Sequence, residues 1–185
     1  MNTISQKLIT KQTIGAFTLI NVAYIASYTL VAGFLTPLQS LIFPSFTTTI
    51  SLLFLPHGIR ILSAYYYGWK SFFILLPSTY FMWMITVYGF GIPLHPMQPV
   101  LSGVSCVLGV KIISKRFNYN LNKDMFFIIF AGLIGSLLNG LLNSWFMNNM
   151  FLTIQILGYV FGDFLGLIAL TFLFSQTLKF INSFK

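Results

Sequence analysis

The chain has 185 residues, of which 57% are hydrophobic and 6% are charged, and its formal net charge is +8. A soluble domain usually carries about 25% charged residues because its surface must be hydrated, so this composition excludes an ordinary soluble domain. Each membrane span takes about 20 residues, so the length suits a single integral membrane domain over residues 1–185.

Six apolar segments follow one another along the chain, and each is predicted to cross the membrane as a helix. We therefore expect an all-α, polytopic membrane helix bundle of about six transmembrane helices, surrounded by the lipid bilayer. Between the first two segments, Thr36 to Phe46 is expected to form an outer surface helix or a re-entrant piece. The predicted spans are Ile14 to Leu35, Phe46 to Gly68, Ser71 to Tyr88, Pro99 to Ile113, Met125 to Met147 and Phe151 to Phe174.

The second predicted span contains a candidate helix break. Pro56 lacks a backbone donor and disturbs the helical hydrogen-bond ladder, and Gly58 adds backbone freedom two residues later. A broken span leaves backbone groups free, which a membrane tolerates only where those groups line a cavity or meet protein partners. We therefore expect the second span to be broken near Pro56 and to have a polar interior beside it.

The basic residues predict which ends of the spans face the cytoplasm. With the N-terminus inside, all of the 10 Lys and Arg residues except Arg60 fall on the cytoplasmic side, and none falls in an outer connection. This is the positive-inside pattern, and it predicts a bacterial cytoplasmic (inner) membrane protein with both termini in the cytoplasm. Because these residues stand singly or in small groups beside apolar runs, we expect no nucleic-acid partner.

Small residues recur at intervals of four on the fifth and sixth spans. Such spacing favours close approach of helix backbones in a membrane, where small residues let helices meet. We expect the two helices to pack on each other or on the second span. An alternative is that one row faces a second copy of the protein in a homo-oligomer. The rows are Gly132, Ser136, Gly140 and Ser144 on the fifth span, and Gly158, Gly162 and Gly166 on the sixth.

Three ionisable residues are predicted to lie near the middle of the membrane: His57, Arg60 and Asp163. Such residues are costly in lipid, so they normally face the interior and pair with another group. Asp163 is the only acid within a span and Arg60 is the only Lys or Arg near the middle of the membrane, so we expect them to form an ion pair or to share a polar cavity. In a ligand or signal pocket, His57 would titrate or donate to the ligand. The alternative is a structural pair that holds two helices in register.

Other polar residues are weaker candidates. Asn139 and Asn143 lie one turn apart on the fifth span and are candidate pocket residues, with interhelical hydrogen bonding as the alternative. His95 is expected to shape an outer loop, and the lone Cys106 to be a small packed residue. The sequence has no Gly-rich phosphate loop, no His-Glu-x-x-His helix and no nucleophile elbow. We therefore expect no catalytic residues, no metal site and no cofactor.

Two stretches resemble membrane-associated sensor (MASE) domains of the first type. One is similar to the Pro-x-Gly-Ile segment of that family and the other to its closing Gly-Asp-x-x-Gly helix. The resemblance implies a multi-span bacterial sensory input domain, normally fused to a kinase or a cyclic-dinucleotide output module. This sequence contains no such module, so the resemblance implies either a separate signalling partner protein or a membrane fold that serves another purpose. The matching stretches are Phe54 to Ile59, followed by Gly68 and Leu76-Pro77, and Gly162-Asp163-x-x-Gly166.

Two other functions fit the same features. The size, the six predicted spans and the basic inner face also suit the substrate-binding component of a small-solute, vitamin-type transporter, which would need transport partner proteins. That comparison rests on architecture alone. The rows of small residues also suit an accessory subunit of a larger membrane complex.

Overall fold

The computed structural model describes residues 3–43, 51–92, 94–116, 124–148 and 153–183. Within these ranges the regular structure is entirely helical, which confirms the all-α prediction. Two helices change to a π-helical turn: α1 passes through Val31–Leu35 into α2, and α4 ends in Ile85–Gly89. The helices are α1 (Thr3–Leu30), α2 (Thr36–Ile42), α3 (Leu55–Tyr67), α4 (Trp69–Met84), α5 (Gln98–Arg116), α6 (Asp124–Asn148) and α7 (Thr153–Asn182).

Among the residues that the structure describes, four helical segments are long and apolar enough to cross a membrane. α5 is shorter, and its apolar part covers Gln98–Ser114. Large apolar side chains such as Leu19, Phe73 and Phe126 are exposed on the outside of the bundle, as expected of helices solvated by lipid. The prediction is therefore confirmed as far as an all-helical bundle with four candidate membrane-spanning helices among the described residues. The four segments are Thr13–Ile42, Trp69–Gly89, Met125–Phe146 and Ile156–Thr177.

The stretch after the first predicted span continues the same helix. α2 follows the π turn without a break, and Pro37 lies in its first turn, where a missing backbone donor is tolerated. The combined segment Thr13–Ile42 has 30 residues, or about 45 Å of helix, which exceeds the hydrocarbon thickness of a bilayer. Thus the described part of Thr36 to Phe46 is a helical extension, and residues 44–50 lie outside the described ranges.

The predicted second span is represented by a helix with about two thirds of the length of a membrane span. α3 has 13 residues, or about 20 Å, and Pro56 lies in its first turn. Residues 51–54 before it are not helical. Pro56 therefore stands where the helix starts, a position that needs no backbone donor, rather than inside a continuous helix. The part of Phe46 to Gly68 before residue 51 is outside the described residues.

The non-helical residues 51–54 are held against α7. The Phe54 N–H donates to the Gly162 carbonyl oxygen at 2.9 Å, and the Leu52 N–H donates to Oε1 of Gln39 at 2.7 Å. A Cβ atom at Gly162 would collide with the Ser51 carbonyl oxygen, and one at Gly166 with the Phe54 carbonyl group. The two glycines therefore let an irregular backbone approach α7 closely, and protein groups satisfy two of its donors.

The helices α3, α5, α6 and α7 form the main core. α6 packs on α7, and both contact α3, while α5 packs against α6. A Cβ atom at Gly132 would collide with the Leu167 side chain, and one at Gly140 would lie 3.2 Å from the Ile156 carbonyl oxygen. The core of this region contains Ile61, Ala64, Cys106, Val107, Ala131 and Leu167.

Candidate ligand-binding site

A cavity of about 400 Å³ lies beside this core. Its walls come from the α1–α2 helix, residues 51–54, α3, α4, the connection between α4 and α5, and the facing parts of α5, α6 and α7. Most of the wall is apolar, and aromatic rings make up much of it. The aromatic residues of the wall are Tyr24, Tyr28, Phe54, Trp83, Phe90 and Tyr159.

Two buried charged residues line the cavity. Arg60 of α3 is 6% exposed and Asp163 of α7 is 2% exposed. Asn139 and Ser102 line the same cavity from α6 and α5. The polar groups therefore reach the cavity from four different helices.

Asp163 forms an ion pair with His57. The Nδ1 atom of His57 lies 3.2 Å from Oδ2 of Asp163, and the imidazole is completely buried. The Nε2 atom lies 3.2 Å from Oγ of Ser136 and 3.4 Å from the Gly132 carbonyl oxygen. Ser136 donates its own hydroxyl proton to that carbonyl at 2.8 Å, so its lone pairs face the ring. Both ring nitrogens thus face acceptors, and His57 links α3, α6 and α7.

Asn139 connects this pair to α5. Its Nδ2 atom donates to Oδ2 of Asp163 at 2.6 Å, and its Oδ1 atom accepts from Oγ of Ser102 at 2.7 Å. Asn143 donates to the same Oδ1 atom at 2.6 Å and to the Asn139 carbonyl oxygen at 2.9 Å. The Asp163 carboxylate therefore accepts from both a ring N–H and an amide, and its charge is compensated inside the protein.

Arg60 has a different set of neighbours. Its Nη2 atom donates to the Tyr24 hydroxyl at 2.5 Å, and its guanidinium lies 5.2 Å from the Tyr24 ring centroid and 5.9 Å from that of Phe54. Its buried Nε atom has no hydrogen-bond partner among the described residues. Arg60 and Asp163 share the cavity, but in the described part of the chain the ion-pair partner of Asp163 is His57.

The helix-break and packing residues surround this centre. Pro56 and Gly58 are buried at the start of α3, and a Cβ atom at Gly58 would collide with the Leu170 side chain. Gly158 lines the cavity. Ser144 is buried, and its hydroxyl has no partner among the residues described. The two small-residue rows thus lie where α3, α6 and α7 meet.

Sequence reasoning missed the contribution of α1. Tyr24 is 1% exposed and is the hydrogen-bond partner of Arg60, and Tyr28 bonds Thr86 across to the end of α4 at 3.0 Å. Asn21, Tyr24, Ser27 and Val31 are all buried. Their spacing of three and four residues marks one face of a helix, so the periodicity contained a signal for the inward face.

The remaining candidates lie away from the cavity. His95 is exposed, and its Nδ1 atom accepts from the Met97 N–H at 3.2 Å within the loop. Cys106 is buried in the core with its sulfur 3.7 Å from Nδ1 of His57. The described residues contain no group of three or more metal-ligating side chains.

Compared with known protein families, curated proteins and solved structures, the chain shows no significant match. The cavity and the chemistry of its walls are therefore the features that indicate function. Those walls combine apolar aromatic surface with a few convergent polar groups, which is the usual character of a small-molecule site.

Proposed function

We propose that this chain is a six-span protein of a bacterial cytoplasmic membrane that binds a small solute in the cavity and acts as a sensory input domain for a separate signalling partner. The cavity carries the proposal. Its volume of about 400 Å³ lies in the range of sites that hold small organic molecules. Ionisable residues in a membrane bundle that face such a cavity are functional candidates by default.

In the proposed topology, α3 with the segment before it and α5 complete six spans, and both termini are cytoplasmic. The connections without Lys or Arg then lie on the outer side. The cavity wall includes Ile92 and Leu94 of one such connection and Pro37 and Ser40 of α2. This arrangement supports access from the outer side, which suits perception of an external solute.

The two stretches that resemble the sensor family lie next to each other. Gly162 and Gly166 provide the surface for the backbone leading to Pro56, and Gly58 packs against Leu170. Arg60 on α3 and Asp163 on α7 reach the cavity from these same helices. A solute that contacts both helices binds more tightly to some of their relative arrangements than to others. This difference in affinity shifts the protein toward the favoured arrangement, and that shift is the signal.

A transporter component is the second candidate. A solute cavity that opens toward the outer side also suits a protein that delivers its solute to transport partners. The two functions differ in one measurable property. A transporter component with its partners moves solute across proteoliposomes, whereas a sensor binds without accumulation inside. An accessory subunit needs no solute at all.

The binding function is tested by filling the cavity. Ala32 lines the cavity, whereas Ala26 on the same helix is exposed on the outside of the bundle. Wild type, Ala32→Phe and Ala26→Phe are reconstituted in nanodiscs and incubated with a small-molecule extract of the source cells. Thermal melting and native mass spectrometry then measure binding. We expect the wild type and Ala26→Phe to retain a small molecule and to melt at a higher temperature with the extract than without it. We expect Ala32→Phe to retain no small molecule and to melt at the same temperature in both cases. Equal behaviour of the two variants would overturn the proposal.

A further inference from the structure

We infer that the ligand of the cavity is a small organic monoanion, with one carboxylate that binds Arg60 and a mainly apolar, ring-sized body that packs against the aromatic wall. This inference rests on the proposed solute-binding function. It goes further because it assigns the charge and the chemical class of the ligand.

The charges of the buried residues His57, Arg60 and Asp163 do not cancel. Nδ1 of His57 faces the Asp163 carboxylate, and Nε2 faces the lone pairs of Ser136 and the Gly132 carbonyl oxygen. A ring with acceptors at both nitrogens is held as imidazolium, so the His57–Asp163 pair is neutral as a whole. Arg60 then carries a positive charge with no ion-pair partner among the described residues, since Asp163 on the same cavity wall is paired with His57.

The Arg60 guanidinium is buried with an incomplete set of hydrogen-bond partners among the described residues. Its described polar contact is the neutral phenol of Tyr24, and its Nε donor is buried without a partner among the described residues. A buried charge and a buried unsatisfied donor are both costly. The planar fork of an arginine matches a carboxylate better than other small acceptors, because two N–H groups bond two oxygens. A carboxylate supplied by the ligand satisfies both requirements.

The rest of the ligand must match one positive charge and a largely aromatic wall. One unpaired arginine neutralises a single negative charge, so a dianion would leave one charge buried. A cationic ligand would meet the Arg60 guanidinium, while the Asp163 carboxylate is already engaged by His57 and Asn139. Aromatic residues such as Tyr28, Trp83 and Tyr159 surround the remaining space, and rings favour offset or edge packing against other rings. A planar ring therefore fits these walls better than a flexible chain.

Trp83 provides a direct reporter of binding. The chain has 3 Trp residues, and only Trp83 lines the cavity, whereas Trp69 and Trp145 are 40% and 57% exposed. In a Trp69→Phe/Trp145→Phe background in phosphatidylcholine nanodiscs, the fluorescence of Trp83 is titrated with 2-naphthoate, 2-naphthamide and 2-naphthylmethylamine. These probes share one ring body and differ in charge. We expect saturable quenching by naphthoate, with an affinity about tenfold or more above that of the amide and the amine.

Variants of Arg60 assign the effect to its charge. Arg60→Gln should lower the affinity for naphthoate by about tenfold or more and leave the affinity for naphthamide unchanged. The naphthoate affinity of Arg60→Lys should lie between those of the wild type and Arg60→Gln. Lys179→Gln removes one exposed positive charge near the end of α7 and should change neither affinity. The three probes are compared on protein that retains Arg60. That comparison therefore tests the inference even if Arg60→Gln does not fold.

A further arm separates an aqueous anion from one derived from lipid. Decanoate carries the same carboxylate on a flexible chain. Weaker displacement of naphthoate by decanoate supports a ring-bearing solute. Equal displacement would reject the ring-sized body and assign the carboxylate ligand to the lipid phase.

Two results would overturn the inference. Equal affinities for naphthoate and naphthamide that do not change in Arg60→Gln would reject the carboxylate but leave solute binding intact. Failure of all the probes to bind would also reject it. In that case the Ala32→Phe comparison shows separately whether the cavity binds any solute.

Discussion

The imidazole of His57 lies 3.2 Å from the carboxylate of Asp163, and this contact joins α3 to α7 at the edge of the cavity. His57 itself is completely buried, whereas Asp163 also lines the cavity. The pair links two helices, the structural role that was expected of Arg60 and Asp163. It also engages the Asp163 carboxylate, which was expected to meet Arg60.

Removing one member of this pair should destabilise the protein strongly. Breaking a buried ion pair costs about 3–5 kcal/mol, because the remaining group is left unpaired. We expect Asp163→Asn and His57→Gln each to lower the melting temperature in detergent. The double variant should lose less stability than the sum of the single variants, by about 0.5–3 kcal/mol. Strictly additive losses would show that the two side chains do not interact.

The glycines of α7 should be intolerant of even a methyl group. Alanine at Gly162 or Gly166 would place a Cβ atom against the backbone of residues 51–54, and backbone cannot move aside cheaply. Overpacking of this kind costs about 1–3 kcal/mol. Gly15→Ala is the matched control because nothing lies within 4 Å of its Cβ position and alanine favours a helix. Thermal melting should separate the variants, and equal melting temperatures for all three would contradict the close approach.

Tyr24 should stabilise the bundle through its hydroxyl. Tyr24→Phe removes the acceptor of Arg60 and keeps the ring, and a hydrogen bond to a charged group contributes about 1.5–3 kcal/mol. Tyr66→Phe is the control because the Tyr66 side chain is 63% exposed. We expect only the Tyr24 variant to melt at a lower temperature. The prediction fails if both variants melt like the wild type.

The proposed topology predicts which positions can be labelled from outside the cell. In a Cys106→Ala background, single cysteines replace three exposed residues: His95, Tyr67 and Ser183. A membrane-impermeant maleimide should label the cysteine at position 95 in intact cells and the other two only after permeabilisation. Labelling of position 67 from outside would show that α3 does not reach the cytoplasmic side, and labelling of position 183 would reject a cytoplasmic C-terminus.

Hydropathy predicted the membrane-embedded helix bundle, because the low charge content leaves few alternatives for the long apolar segments. It did not predict that α3 has only about two thirds of the length of a span, with 13 residues. Hydropathy measures composition and cannot show where an apolar backbone leaves the helix. Proline is compatible both with a kink inside a helix and with the first turn of one, and in the structure Pro56 occupies the first turn.

The partners of the buried charges were harder to predict. Pairing the only acid of the predicted spans with the only Lys or Arg near the middle of the membrane suggested contact between Asp163 and Arg60. His57 lies three residues before Arg60, or about 300° around the helix, so both face nearly the same side of α3. Charge alone cannot decide between such neighbours. The Tyr24 phenol then takes the place that a carboxylate was expected to fill.

The π turn between α1 and α2 has a consequence for insertions and deletions in this helix. Its Thr36 N–H bonds to the Val31 carbonyl oxygen, five residues back, so the turn contains one residue more than an α-helical turn. That residue rotates everything after it by about 100° and sets the direction in which Gln39 meets Leu52. Loss of one residue here would barely change the helix length, yet it would rotate one wall of the cavity by more than a quarter turn.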